Sequence, residues 1–176
     1  ILNNKVEILH VYNKVNLVPF GEFLPLEKVL SKIGLKKITP GYNSFSSGEV
    51  RKIINLGNKF NEKSILPLIC YEIIYPGKIK KKNQFPDLMV NISEDAWFGR
   101  SIGPHQHFTK AIYRSIEEGV FIARSANKGI SAFINPNGRV IKSLNTGESG
   151  NIELNFPYFH KPTLFSNFGN KIFVLI

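Results

Sequence analysis

The chain has 176 residues, enough for one domain with a core, and its apolar content of 43% excludes a disordered chain. A single cysteine excludes an internal disulfide, and a net charge of +10 favours anionic partners such as lipid headgroups or nucleic acid. No arginine-rich arm, zinc-ligand spacing or aromatic RNA-binding motif accompanies that charge, so nucleic acid is not the expected partner.

In chain order, Lys5 to Val18 is rich in Val, Ile, Leu and Tyr and predicts one or two strands. After the break at Pro19-Phe20-Gly21, Leu26, Val29, Leu30 and Ile33 have helical spacing, and Gly34 closes the helix. Thr39 to Gly48 predicts an ordered loop around Tyr42 and Phe45, and a short strand is expected near Arg51 to Leu56. The run Ile65-Leu66-Pro67-Leu68-Ile69 predicts a strand that ends at Cys70, with a helix over Tyr71 to Lys80. The basic cluster Lys78, Lys80, Lys81 and Lys82 reads as a solvated helix end.

Asp87 to Ile92 predicts a buried strand, and Ser93 to Gly103 a long loop. Pro104 marks the first turn of a helix whose face is Phe108, Ala111, Ile112, Ser115 and Ile116 and which ends before Gly119. Glu117 and Glu118 oppose the dipole at its end, a violation that suggests internal ion pairs, with Arg114 or Arg124 as partners. Val120 to Arg124, Gly129 to Ile134 and Arg139 to Leu144 predict strands, the last two joined by an Asn-Gly hairpin turn at Asn135 to Gly138. Gly150 to Leu154 predicts a final strand. Lys171 to Ile176 turns apolar, as a short terminal strand or the first turns of a membrane helix would. The alternation of strands and helices predicts an α/β class with a mixed sheet.

The chemistry centres on Cys70. A strand that delivers a thiol to a turn presents a nucleophile, and a helix N-terminus or nearby cation favours the reactive thiolate. The competing reading is a buried core cysteine. Glu72 reads as a base or, more simply, as a brace behind the elbow. Tyr71 reads as pocket lining or packing. Trp97 and Phe98 read as a hydrophobic lid or as loop anchors. His105 and His107 lie two apart at a helix start and do not share a face, so no metal site is expected.

Three segments taken together resemble the apolipoprotein N-acyltransferases. Tyr12 to Glu22 resembles their lysine motif, Leu68-Ile69-Cys70-Tyr71-Glu72 their nucleophile motif, and Asn91 to Gly99 with Ser101 to His107 the loop and helix that follow. The resemblance implies a nitrilase-like α/β/β/α sandwich, incomplete at its N-terminus, over residues 1–165, with 166–176 leading toward a membrane helix. It implies transfer of a fatty acyl chain from a phospholipid, through a Cys thioester, to the N-terminal amine of a diacylated lipoprotein. The setting it implies is the bacterial inner membrane, with the catalytic domain facing the periplasm and no cofactor. Cys70 and Lys14 match the catalytic cysteine and lysine, and Glu22 matches a second glutamate near the site. The general-base glutamate is expected upstream of the lysine motif, where this chain has only Glu7. The 176 residues alone are therefore expected to be inactive. Asn16 and His105 depart from the family pattern, and residues 163–170 lack an expected tyrosine and arginine. The alternatives are a soluble amidase of the same superfamily and a non-enzymatic basic binding module.

Overall fold

The computed structural model describes residues 1–37, 44–57, 62–80, 84–155 and 162–174. Six strands form one mixed sheet in sequence order: β1 (Ile54–Asn55), β2 (Ser64–Ile69), β3 (Leu88–Glu94), β4 (Phe121–Asn127), β5 (Ser131–Ile134) and β6 (Val140–Leu144). β2, β3 and β4 are parallel, and β1, β5 and β6 attach antiparallel at the two edges. Among the described residues the helices are α1 (Glu27–Leu30), α2 (Gly103–Glu118) and α3 (Leu164–Phe168), with 3-10 turns at Ser31–Ile33, Cys70–Ile74, Ala96–Phe98 and Gly169–Val174.

Alternation along the strands builds the core. Leu66 and Leu68 of β2, Met89 of β3, Ile122 of β4, and Ala132 and Ile134 of β5 are buried together with Ile73, Ile79, Ala111 and Val120. Phe108 and Ile112 of α2 pack against them, so α2 covers this face of the sheet. The loop-to-helix boundaries have local causes. Pro104 lies in the first turn of α2, and Gly119 ends it at φ +67° with its N–H on the Ser115 carbonyl. The β5–β6 turn forms around the Asn135 side chain, which accepts from the amides of Asn137 and Arg139, while Gly138 takes φ +79°.

Several expected elements differ. Lys5 to Val18 joins no ladder; beyond an isolated bridge between Leu2 and Ile8 it runs as irregular chain, and two of its amides are bonded by a side chain described below. The helix expected over Tyr71 to Lys80 is a single 3-10 turn that stops at Ile74. Pro76 forces Tyr75 into an extended conformation, and Gly77 follows at φ +64°. Residues 150–154 form no strand. Gly169–Val174 is a 3-10 turn, and among the described residues no helix is long and apolar enough to cross a membrane. Tyr42, Lys81 and Lys82 lie outside the described residues.

The charged end of α2 also differs from expectation. Arg114 pairs with Glu117, as the sequence suggests, but Arg124 serves neither glutamate. Glu118 pairs instead with Lys80 at 3.4 Å. Lys80 is thus not a solvated cation: its side chain is 4% exposed, donates to the Ser166 carbonyl at 3.0 Å and lies over the Phe85 ring. Burial pushes the Glu118 carboxyl above its ordinary range, against the pull of Lys80.

Candidate active site

The nucleophile candidate lies where β2 ends. Ile69 is extended, and Cys70 opens the 3-10 turn at φ +51°, a region that costs a non-glycine residue about 1 kcal/mol or more. The thiol is half-buried and free. A strand of fixed register followed by a left-handed residue turns the chain sharply, and the cysteine occupies the turn.

Glu72, two residues on, is fully buried. Its carboxylate accepts from the Ile69 amide at 2.8 Å, just before the cysteine. It also accepts from the amides of Val15 at 2.8 Å and Asn16 at 3.1 Å, and from the Tyr12 hydroxyl at 2.9 Å. Arg51 stands 3.5 Å away and extends the network through Asn16 Oδ1 and the Lys78 carbonyl. One carboxylate therefore ties the segment that carries Lys14 to the elbow that carries Cys70. Burial, and then the charge of Glu72, push the Tyr12 hydroxyl well above its ordinary range, so it stays a donor. With four donors and a cation on its oxygens, Glu72 is placed as a brace.

Lys14 pairs with Glu22 at 2.6 Å, and both side chains are largely shielded from solvent. The other Glu22 oxygen accepts from the Val18 amide at 2.9 Å, which closes the turn after the lysine. The Lys14 carbonyl accepts from the Gly48 amide at 2.7 Å, and a Cβ at Gly48 would collide with the Asn13 carbonyl. Tyr71 packs edge-on against Tyr75 at 5.8 Å between ring centroids.

Trp97 and Phe98 separate. Trp97 is 62% exposed at the tip of the 96–98 turn. Phe98 is an anchor: its ring lies against Gly103, where a Cβ would collide with it, and 5.7 Å from the His107 ring.

Behind the elbow lies a buried polar cluster whose connections are not apparent from the sequence. Asn91 of β3, Asp95, His107 of α2 and Arg124 of β4 are all nearly inaccessible. Arg124 donates to Asp95 Oδ2 at 2.7 Å, to the Ile130 carbonyl at 3.2 Å and to Asn91 Oδ1. Asp95 Oδ1 accepts from Ser93 Oγ at 2.6 Å and meets His107 Nδ1 at 2.9 Å. His107 Nε2 has no hydrogen-bond partner among the described residues, and exposed His105 does not share its surroundings. The usable signal was a polar residue on the inward-facing register of an apolar run: Asn91 in Leu-Met-Val-Asn-Ile and Arg124 in Phe-Ile-Ala-Arg.

Burial alone would raise the Asp95 carboxyl. Its bond with His107, the charge of Arg124 and its bond with Ser93 outweigh that and hold it below the ordinary range. Burial lowers the Arg124 guanidinium, opposed by Asp95 and by the charge of Cys70.

Two outcomes are expected from these contacts. Glu72→Gln puts an amide group among donors and should reduce unfolding free energy by about 3 kcal/mol in denaturant titration; a loss below about 1 kcal/mol would remove Glu72 as the link. Asp95 stabilises the fold fully above its unfolded pKa of about 4 and loses that contribution as pH falls through its lower folded value. Asp95→Asn should therefore flatten the acid limb of stability against pH, and an unchanged limb would contradict the assignment.

Comparison with known proteins places the chain in a family. The Carbon-nitrogen hydrolase family matches residues 1–155. Apolipoprotein N-acyltransferase of Bradyrhizobium diazoefficiens is 41% identical over 97% of this chain and 31% of its own length. The proteins of that name from Rhodopseudomonas palustris (43% over 92% of this chain, 30% of its own) and Rickettsia prowazekii (41% over 98%, 33% of its own) are similarly close. The chain thus spans about a third of the length of these relatives. Among solved structures, the amidase from Nesterenkonia sp. AN1 superposes with a TM-score of 0.55 at 18% identity, over 82% of this chain and 51% of the amidase. That likeness supports the nitrilase-like fold. With a family match over most of its length, the chain belongs to the carbon-nitrogen hydrolase family.

Proposed function

We propose that this chain carries the nucleophile of an apolipoprotein N-acyltransferase, with Cys70 as nucleophile and Lys14 as its cation. The observation that carries the reading is the Glu72 carboxylate, which bonds the backbone beside both residues. The roughly 40% identity to relatives of that name supports acyl transfer rather than hydrolysis.

In the first half-reaction the Cys70 thiolate attacks a phospholipid ester. A C–S bond forms, the ester C–O bond breaks, and the leaving alkoxide takes the proton that a base had removed from the thiol. In the second, the α-amine of a diacylated lipoprotein attacks the thioester. An N–C bond forms, the C–S bond breaks, the thiolate returns and a base takes the amine proton. The resemblance assigns that base to a carboxylate upstream of the lysine motif. Lys14 stabilises the thiolate and the tetrahedral oxyanion, where one well-placed donor contributes about 3 kcal/mol to lowering the barrier. Glu22 orients the ammonium. Tyr71 lines the acyl pocket, and exposed Trp97 covers it. The enzyme works at the bacterial inner membrane with its catalytic domain in the periplasm, and residues 166–176 lead toward the bilayer.

The test uses the whole protein in membranes with phospholipid and a diacylated lipopeptide. Wild type should add an acyl chain to the peptide's α-amine. Cys70→Ser should lose most activity, because an alkoxide is much harder to form than a thiolate. Lys14→Arg should be nearly inactive while folded, because a planar fork replaces a compact ammonium. Wild-type turnover in either variant, or release of free fatty acid without N-acylation in the wild type, would overturn the reading.

A further inference from the structure

Leu68, Asn91 and Arg124 are register partners across β2, β3 and β4, so they form one row directly behind the elbow. Asn91 is fully buried in the middle of that row. Its amide has one possible orientation, because a guanidinium only donates and a carbonyl only accepts. Oδ1 accepts from Arg124 Nη1. Nδ2 then points to the carbonyls of Leu68 at 3.1 Å and Cys70 at 3.5 Å. The second contact holds the carbonyl of the one residue at this turn with positive φ. Glu72 fixes the amide side of the elbow through Ile69, and Asn91 meets its carbonyl side.

Arg124 cannot rotate away from this task. Asp95 Oδ2 and the Ile130 carbonyl hold its other nitrogens, and the guanidinium side chain is fully buried. Asp95 is wedged in turn: a Cβ on Gly129 would collide with its carboxylate. Asp95 also founds the Trp97 turn, since its amide donates to the Asn127 carbonyl at 2.9 Å and its carbonyl accepts from Phe98 at 3.1 Å.

We propose that Asn91 and Arg124 are a positioning pair for the nucleophile: Arg124 locks the Asn91 amide, and Asn91 holds the Cys70 carbonyl so that the thiol stays in its attacking orientation. The same guanidinium joins the elbow to the base of the Trp97 turn. Neither residue touches substrate; both act through Cys70. The inference rests on Cys70 as the nucleophile, and its test separates the two claims.

Asn91→Asp keeps an oxygen for Arg124 but sets an acceptor against the Leu68 and Cys70 carbonyls. In the whole protein, single-turnover acylation of Cys70 should slow about 100-fold per folded molecule, the scale for a misplacement of about 1 Å. KM for phospholipid should stay close to wild type, whereas the thermal unfolding midpoint should fall because a buried acceptor then faces two carbonyls, so the rate is read per folded molecule. A wild-type acylation rate would overturn the proposal. So would a loss that only tracks the unfolded fraction. Should Asn91→Asp fail to fold, Arg124→Lys is read the same way, because one ammonium keeps the charge beside Asp95 but cannot also hold Asn91 and Ile130. Wild-type activity in Cys70→Ser would sink the nucleophile assignment itself. A Cys70→Ser that loses most activity beside a fully active Asn91→Asp would sink only the positioning pair.

Discussion

Much of the site's arrangement depends on a buried carboxylate that must find its donors. Glu72 has no access to water, and a buried anion is tolerated only when its oxygens are saturated. The donors come from three places in the sequence, Tyr12, the amides of Val15 and Asn16, and the Ile69 amide, and Arg51 adds a cation 3.5 Å away. Satisfying that requirement brings the irregular N-terminal segment onto the end of β2. The separation in sequence between the segment that carries Lys14 and the end of β2 is thus closed by hydrogen bonds to one carboxylate rather than by a sheet ladder.

This explains which parts were legible beforehand. Elements with local causes were: the Asn135–Gly138 hairpin turn, Pro104 and Gly119 at the ends of α2, and the apolar strand ending at Cys70. Lys5 to Val18 misled because its Val, Ile and Tyr content mimics a strand, whereas its Val15 and Asn16 amides are satisfied by a side chain more than fifty residues away. Periodicity carries no trace of such a contact. Lys80 misled for a similar reason. Within a basic run it looks solvated, but it is the buried partner of Glu118 and anchors α3 through the Ser166 carbonyl. The glutamates at the end of α2 oppose the dipole there for a few tenths of a kcal/mol. Glu117 pairs within the helix with Arg114, and Glu118 pairs with Lys80, which fastens the segment after the Cys70 turn to α2.

The candidate site was legible at its motifs and opaque behind them. Cys70, Lys14 and Glu22 stand out by motif, and Glu72 by its nearness to the cysteine. The support in the next layer comes from residues on adjacent parallel strands, where register alone decides which polar groups meet. Asn91 and Arg124 occupy core-facing positions in apolar strands, and each is buried because the other satisfies it. Two buried networks thus hold the elbow from opposite sides, one through Glu72 and one through Asn91.

The central claim is that this doubly held elbow makes Cys70 the acyl carrier. The most direct measurement is mass spectrometry of the whole protein after exposure to phospholipid without an amine acceptor. The account predicts one fatty acyl mass on Cys70, removed by hydroxylamine as a thioester and absent in Cys70→Ala. An acyl group on any other residue, or transfer that proceeds in Cys70→Ala, would contradict it.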